Sequence, residues 1–243
     1  MKLEILYEDA HLIAVNKPAG IPVIPDRFNT DAPSINKLLE AATGSRIWVI
    51  HRLDRDTSGV LLFAKNELAH KKLSLQFQEH SVGKFYAGLV NGRLAKESGR
   101  IESPIAEHPT IKGKMIVAKS GKPSVTDYRV VSQWPLHSLL QFQIHTGRTH
   151  QIRVHMQSIG HPIVADNLYG DGEPFRLSAI KKKYKLSLKE EEERPLLSRL
   201  ALHAYRLIFE DMEGREQMIE APLPKDINAC VQQLNKQQSK HTF

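Results

Sequence analysis

The sequence predicts an α+β fold, because strand-like and helix-like segments mix along the chain without strict alternation. Some segments alternate apolar and polar residues with a period of two, which is typical of strands. Others repeat apolar residues at helical spacing. The composition, 41% hydrophobic and 25% charged, is close to that of an average globular protein. A chain of 243 residues can bury a sizeable core, and we expect one domain spanning residues 1–243.

The first part of the chain is expected to form a hairpin, a loop and a helix. Two short apolar runs, LEILYED and LIAVNKP, flank an acidic turn, which predicts a pair of strands. The proline-rich stretch KPAGIPVIP then interrupts any regular element. An amphipathic segment follows, with Ser34 as its N-cap and Gly44 as its stop, and predicts a short helix.

The middle of the chain is expected to supply a second helix and most of a sheet. The stretch NELAHKKLSLQFQEH has the length of a helix and contains neither glycine nor proline. Period-two patterns predict three strands, in GKFYAGLVNG, VTDYRVVS and HSLLQFQIHTG. A strand-rich sheet is therefore expected from these segments.

The last of these strands is expected to lead directly into a third helix, with Thr146 as its cap and Gly160 as its stop. Between residues 171 and 200 the sequence changes to a run of both charge signs, which predicts an exposed insertion. The final elements are two strands, LALHAYRLIFE and EQMIEAP, and a closing helix, KDINACVQQLNKQQ. The sequence contains no repeat unit.

The charge balance favours a polyanionic partner. The net charge is +7 and the pI is about 9.4, so phosphate neutralisation makes RNA or DNA the leading hypothesis. Acidic residues interrupt the apolar start of the chain, which argues against a signal peptide or a membrane span, and the cytoplasm is the expected location. The single cysteine, Cys230, cannot form an internal disulfide, and we expect it to be buried in the closing helix.

Twelve histidines raise the question of a metal site, above all His145, His150 and His155. A spacing of five turns a helix by about 500°, which leaves successive rings about 140° apart. On a strand, odd spacing places them on opposite faces. We therefore predict no metal site.

The stretch VIHRLDRDTSGVLLFAK places Asp54 between Arg52 and Arg55, followed by a polar turn. Cationic neighbours favour the ionised form of a carboxylate, which suits a nucleophile rather than an acid. An ordinary salt-bridged turn is the structural alternative. The DTSG run is similar to the turn of aspartic proteases, but the sequence has no second copy. The HRLD run lacks the spacing and the phosphate loop of kinases.

The same stretch resembles the catalytic signature of the pseudouridine synthases, in particular the branch named for RluA, which isomerises uridines in ribosomal and transfer RNA. Further similar motifs follow in the same order and cover most of residues 10 to 210: NKPAG, KFYAGLVNG, HTGRTHQIRVHM, GHPIVADNLYG and LALHA. The resemblance implies a mixed, largely antiparallel sheet flanked by helices and loops, with a central RNA-binding cleft. It also implies an isomerase that needs no cofactor.

By this resemblance, Asp54 is the attacking carboxylate, and Arg153 pairs with it. Tyr86 resembles the active-site tyrosine of the family, whose ring stacks on the extruded uracil while its hydroxyl lies near C5. Leu202 is expected to pack on the other face of the base, or to be a plain core leucine. For Tyr86 and Arg153 the alternatives are a buried core tyrosine and a surface cation.

The remaining predicted site residues concern RNA binding. Arg52 is the candidate to brace the gap that a flipped uridine leaves, or else to pair with Asp56. Arg148, with the backbone of the residues beside it, is expected to begin the third helix, where free N–H groups attract phosphate. Lys17 is expected either to contact the RNA backbone or to brace its own loop. The basic run KKKYK could grip RNA, but the adjacent glutamates favour a neutralised surface loop.

Two alternative functions are open at this point: a non-catalytic RNA-binding or RNA-folding protein on the same scaffold, and a hydrolase that uses Asp54. The expected partner is structured RNA, ribosomal or transfer, with no membrane and no obligate protein partner. Because the core motifs begin near residue 16, we expect no small RNA-binding domain before them. Two positions depart from the family pattern: Gly88, where alanine is usual, and Ala165, where glycine commonly precedes the aspartate.

Overall fold

The structure, a computed structural model, describes residues 2–25, 32–181, 184–186 and 192–239. Its strands are β1 (Glu4–Glu8), β2 (Leu12–Lys17), β3 (Trp48–Val49), β4 (Ser58–Ala64), β5 (Gly83–Asn91), β6 (Ser98–Glu102), β7 (Ile105–Glu107), β8 (Met115–Val117), β9 (Val125–Gln133), β10 (His137–Ile144), β11 (Leu202–Glu210) and β12 (Glu216–Glu220). Its helices are α1 (Ile35–Thr43), α2 (Glu67–Gln78), α3 (Gln151–Ser158) and α4 (Lys225–Gln238). The α+β prediction is confirmed.

The predicted N-terminal hairpin and first helices are confirmed. Strands β1 and β2 pair antiparallel. Helix α1 begins after Ser34 and ends at Gly44, which takes a left-handed conformation with φ +66°. The Ser34 hydroxyl bonds the side chain of Asn36 rather than a backbone N–H, so its capping is weaker than predicted. Helix α2 has a stronger cap, because the side-chain oxygen of Asn66 accepts the N–H of Ala69 at 2.9 Å.

The predicted start of the third helix is wrong. Helix α3 begins at Gln151, and Thr146 is not its cap. The physical reason lies at His150, whose φ of +54° is left-handed and cannot continue an α-helix towards the N-terminus. The stop at Gly160 agrees with the structure, since this glycine has φ +81° just beyond the helix.

One compact unit consists of Met1–Tyr86, Gln143–Thr146 and His203–Pro222. Its strands lie in the order β1-β2-β4-β11-β5, with β3 on β4 and β12 on β11. Strand β11 runs parallel to β4, whereas β2, β3 and β12 pair antiparallel with their neighbours, so the sheet is mixed and largely antiparallel.

Strand β4 forms the centre of this unit, and all seven of its residues are buried. Val60 and Leu62 face the cluster that contains Leu73 of α2. Leu61, between them, faces the cluster that contains Leu39 of α1. Burial on both faces explains why this strand reads as a continuous apolar run rather than as an alternating one.

The other unit consists of Ala87–Phe142, Gly147–Leu202 and Leu223–Phe243, and its strand order is β5-β10-β9-β6. Strand β10 alternates as predicted, with Leu140 and Phe142 buried. Strands β7 and β8 form a separate antiparallel hairpin. Helix α4 is fastened to this unit where the indole N–H of Trp134 donates to Asn235 at 3.1 Å. One catalytic domain over the whole chain, with a central RNA-binding cleft, stays a prediction.

The stretch from residue 171 to 200 is not simply an exposed insertion. Phe175 and Leu197 are buried and their backbones bridge to each other, so the ends of the stretch are anchored in the fold. The hypothesis about KKKYK and the following glutamates falls partly on residues 182–183 and 187–191, outside the described residues.

Two smaller predictions can be compared with the structure. Cys230 is buried in α4 as expected, and burial raises the pKa of its thiol to about 12. Of the helices in the described residues, none is long and apolar enough to cross a membrane.

Candidate active site

Asp54 lies at the start of a turn that leads into β4. The N–H of Thr57 donates to the carbonyl of Asp54 at 3.2 Å and closes the turn. Leu53 is buried before the turn and Ser58 after it, whereas Arg55 and Asp56 at its tip are exposed. Burial on both sides fixes the backbone of the turn, and Asp54 itself is partly exposed.

The side chain of Lys17 forms hydrogen bonds to the backbone of this turn. Its ammonium donates to the carbonyls of Arg55 at 2.7 Å, Thr57 at 2.8 Å and Pro18 at 3.0 Å. The side chain is fully buried, so the structure contradicts the predicted contact with an RNA backbone and agrees with the bracing alternative. A buried ammonium is tolerated because these carbonyl oxygens replace the water that it loses.

A second clamp joins the proline-rich loop to the same turn. The backbone N–H of Gly20 donates to the carbonyl of Arg55, and the Nε of Arg55 donates back to the carbonyl of Gly20, both at 2.9 Å. The side chain of Arg55 therefore binds the proline-rich loop rather than the neighbouring carboxylate of Asp54. The NKPAG motif thus has a structural purpose, which is to hold the backbone on which Asp54 is carried.

On the far side of the turn, β4 is held against β11. A hydrogen bond of 2.9 Å joins Ser58 Oγ and His203 Nδ1, and both residues are buried. Gly59 follows with φ +117°, and a Cβ at this position would lie 2.1 Å from the carbonyl oxygen of Ala204. Only glycine permits this close approach, which explains the glycine of the DTSG run.

The negative charge of Asp54 acts on the phenol of Tyr86, which lies on β5. Burial, and then the negative charge of Asp54, raise the pKa of the Tyr86 phenol above its ordinary value. The ring packs on the cluster that includes Leu53 and Ala204. The phenol is therefore protonated at neutral pH, which suits a hydrogen-bond donor and not a base.

Arg52, two residues before Asp54, is exposed on the surface of this unit. Its guanidinium forms no ion pair with the residues that the structure describes, Asp56 included. The alternative of a structural ion pair is therefore unsupported. The predicted role beside a flipped uridine stays a prediction.

Arg153, on α3, forms a bidentate ion pair with Asp166. Its Nε and Nη2 donate to the two carboxylate oxygens at 2.7 and 2.8 Å. The aspartate is fully buried and also accepts the N–H groups of Leu168 and Tyr169, at 3.0 and 3.1 Å. The sequence interpretation missed this carboxylate, although it lies in the GHPIVADNLYG motif. The pairing of Arg153 with Asp54 stays a prediction.

The residues of the predicted phosphate site lie before the start of α3 rather than within it. Gly147, Arg148 and Thr149 precede the helix, and the N–H of Arg148 is taken by the side-chain oxygen of Gln151 at 3.1 Å. The Nε of Arg148 donates to the carbonyl of Pro123 at 3.1 Å. The backbone N–H of Arg148 is therefore not free to bind a phosphate. An RNA contact by the remaining guanidinium N–H groups of Arg148 stays a prediction.

Two of the histidines considered above as metal ligands, His150 and His155, have hydrogen-bond partners within the protein. His155 is fully buried between Thr126 Oγ1 and the carbonyl of Ser103, each at 2.9 Å. His150 Nδ1 lies 2.8 Å from the hydroxyl of Tyr169. Over the described ranges no group of three His, Cys, Asp or Glu side chains could hold a metal ion. That the protein needs neither metal nor cofactor stays a prediction.

Four of the motifs, from NKPAG to HTGRTHQIRVHM, lie within the range that the profile of a known family matches. The family profile described as RNA pseudouridylate synthase matches residues 11–158, which is more than half of the chain. The chain belongs to the RNA pseudouridylate synthase family. The resemblance to its RluA-type branch, inferred from the order of the motifs, is confirmed.

Several pseudouridine synthases are similar over almost the whole chain. Ribosomal large subunit pseudouridine synthase D of Nitrosomonas europaea is 39% identical over 237 residues, 95% of this chain and 64% of that protein. The protein of the same name from Neisseria meningitidis serogroup B is 40% identical over 233 residues, 93% of this chain and 60% of the relative. The chain thus spans less than two thirds of the length of these relatives.

Solved structures of pseudouridine synthases share the fold. Human RNA pseudouridylate synthase domain containing 4 superposes with a TM-score of 0.72 at 26% identity, over 96% of this chain and 93% of that one. Human RNA pseudouridylate synthase domain containing 1 gives 0.70 at 26% identity, over 96% and 95%. The predicted pseudouridine synthase fold is confirmed.

One departure from the pattern of the pseudouridine synthases lies at a crowded position. A methyl group at Gly88 would lie 3.1 Å from Phe142, 3.2 Å from the carbonyl of Ala201 and 3.3 Å from Leu202, which is tighter than ordinary contact. An alanine at this position would require these neighbours to shift by a few tenths of an ångström. Leu202 itself is buried at 3% exposure, as a core leucine would be, and its contact with a base stays a prediction.

The second departure, Ala165, carries strain. Its φ of +57° lies in the left-handed region, where alanine is unfavourable and where glycine, the usual residue of the pseudouridine synthases, is not. The turn at Ala165 leads directly into Asp166. This strain is thus located beside the carboxylate that holds Arg153.

Proposed function

We propose that the protein is an RNA pseudouridine synthase that isomerises a specific uridine of ribosomal or transfer RNA, with Asp54 as the nucleophile. The observation that carries this proposal is the turn of Asp54, whose backbone accepts hydrogen bonds from the buried ammonium of Lys17 while Asp54 itself is partly exposed. Such a clamp fixes the position from which the side chain of Asp54 extends, as a nucleophile requires. Asp54, Tyr86 and Arg153 are the proposed catalytic residues.

The proposed reaction rearranges the substrate without adding atoms. The C1′–N1 bond of the uridine breaks, a C1′–C5 bond forms, the C5 proton leaves and N1 gains a proton. A carboxylate is the group that many enzymes use at an anomeric carbon. Asp54 attacks either the sugar or the base, and the bond that it forms to the substrate breaks again before the isomerised nucleotide leaves the site.

Tyr86 has a role that its protonation state restricts. Its phenol is neutral at physiological pH, so the hydroxyl donates a hydrogen bond near C5. The ring stacks on the uracil. A phenolate base is not available there before the reaction begins. Tyr86→Phe separates the stacking role, which it keeps, from the hydroxyl role, which it removes.

RNA binding is the proposed task of the exposed cations. A uridine in folded RNA must be flipped out of its stack, which leaves a gap beside the neighbouring bases. Arg52 is exposed and lies two residues before Asp54, so it is the proposed residue that braces this gap. The net charge of +7 favours the approach of a phosphate backbone. Ribosomal RNA is the first substrate to test, and the cytoplasm is the proposed location.

The experiment measures tritium released from RNA labelled at uridine C5. The RNA is isolated from cells lacking the protein and divided into ribosomal and transfer fractions. We expect release by the wild type, and a loss of at least about 10³-fold in Asp54→Asn. The matched control is Asp56→Asn, which removes an exposed carboxylate from the same turn and should change the rate by less than about twofold.

Two results would contradict the proposal. Binding to either fraction without tritium release, under conditions that keep the protein folded, would indicate a non-catalytic RNA-binding protein. Free uracil or new chain ends in mass spectra of the RNA would indicate a hydrolase, because isomerisation leaves the mass unchanged.

A further inference from the structure

A buried tyrosine connects three elements around Arg153. Tyr169 is 2% exposed and follows Asp166 in the NLYG segment. Its hydroxyl accepts the N–H of Met115, on β8, at 2.8 Å, and lies 2.8 Å from Nδ1 of His150, just before α3. Its ring lies 4.9 Å from the guanidinium carbon of Arg153.

The contact with His150 depends on an unfavourable backbone conformation. His150 has φ +54°, in the left-handed region that residues other than glycine seldom occupy. In this conformation its ring meets Tyr169 edge-on, with centroids 5.5 Å apart and planes at 77°. Strain of this kind persists where surrounding contacts impose it, and it is concentrated at functional sites.

Tyr169 contacts both members of the Arg153–Asp166 pair. Its backbone N–H donates to the carboxylate of Asp166 at 3.1 Å, while its ring covers the guanidinium. The bidentate bond fixes the edge of the planar guanidinium, and the aromatic ring fixes its face. A displacement of Tyr169 would therefore reorient the cation even if the ion pair stayed intact.

We propose that Tyr169 is a positioning residue for Arg153, and that its hydroxyl ties the guanidinium to strand β8 and to the start of α3. The proposal rests on the proposed function, in which Arg153 serves the isomerisation. Reaction rates are sensitive to such positioning, because a shift of about 1 Å can cost on the order of 100-fold.

The first test is Tyr169→Phe, which keeps the ring and removes only the hydroxyl. With C5-tritiated ribosomal RNA from cells lacking the protein, we expect kcat to fall about tenfold while KM changes less than about twofold. The matched control is Tyr7→Phe. Tyr7 lies on β1, and the change removes a hydroxyl that donates to Asp9 at 2.7 Å. It should leave both kcat and KM within about twofold of the wild type.

The second readout follows Arg153 itself and does not need activity. In ¹⁵N-labelled protein the Arg153 Nε–H signal is assigned by its absence in Arg153→Lys. We expect Tyr169→Phe to shift this signal and to speed its exchange with solvent, and Tyr7→Phe to leave it unchanged. Should Tyr169→Phe fold poorly, His150→Asn tests the same link, since asparagine tolerates a left-handed backbone.

The outcomes separate the two proposals. If the wild type releases no tritium but Tyr169→Phe alters the Arg153 signal, positioning is supported and the proposed function fails. If the wild type is active and Tyr169→Phe leaves both kcat and the Arg153 signal unchanged, positioning is overturned. A lowered melting temperature with unchanged kcat and signal would likewise overturn it, because it would mark a purely structural residue.

Discussion

Replacing Lys17 by methionine tests whether a buried ammonium holds the backbone of Asp54. Methionine keeps most of the volume of the side chain and removes its charge and its three donors. The carbonyl of Arg55 keeps the N–H of Gly20 at 2.9 Å, but those of Pro18 and Thr57 lose their bonds to the ammonium. Catalysis should therefore suffer together with stability.

The size of the effect follows from these contacts. A buried acceptor that loses its donor costs about 1–3 kcal/mol, and two are affected. Part of this loss is offset because the variant no longer has to remove an ammonium from water. We therefore expect the free energy of unfolding to fall by about 3 kcal/mol. Among the molecules that stay folded, kcat should fall on the order of 100-fold, because the turn of Asp54 shifts.

The assay is urea unfolding, together with tritium release under conditions where the variant is fully folded. The matched control is Lys71→Met on the exposed face of α2, which should stay within about 0.5 kcal/mol of the wild type. An unfolding free energy and a kcat for Lys17→Met equal to those of the control would refute the reasoning.

Two further predictions concern Tyr86 and Gly59. Because burial and the charge of Asp54 raise the pKa of Tyr86, its neutral form contributes stability that is present below pH 10 and is lost as pH rises towards the folded-state pKa. Absorbance titration at 295 nm, with Tyr86→Phe as reference, should show ionisation at lower pH in Asp54→Asn; an unchanged curve would mean that Asp54 does not act on the phenol. Gly59→Ala should destabilise the fold by more than about 3 kcal/mol in urea unfolding, because its Cβ would lie 2.1 Å from the carbonyl of Ala204. Gly147→Ala, which meets open space, should cost less than about 0.5 kcal/mol, and equal effects of the two changes would contradict the close approach.

Local patterns were sufficient where local physics decides the outcome. The period of two located β5, β9 and β10, and helical spacing with a glycine stop located α1. The motif order led to the correct family. For the strands and the helix the information lies within a few neighbouring residues, whereas the family follows from motifs spread over residues 10 to 210.

Local patterns failed where a distant contact overrides them. The start of α3 was placed too early because the left-handed backbone of His150, with its bond to Tyr169, has no signature in the adjacent sequence. The ends of the 171–200 stretch carry no local sign of burial, because the run of charges conceals two buried anchors, Phe175 and Leu197. The ion pair of Arg153 with Asp166 was not predicted, because the two residues lie 13 positions apart along the chain.

The sequence by itself determined the family, the α+β class and the candidate nucleophile, because motif spacing and periodicity are written along the chain. Tertiary structure alone decided what Lys17 does. A lysine beside a proline-rich loop is compatible with either a phosphate or a set of carbonyls as its partner. Only the folded backbone, which brings three carbonyl oxygens within 3.0 Å of one ammonium, selects between them.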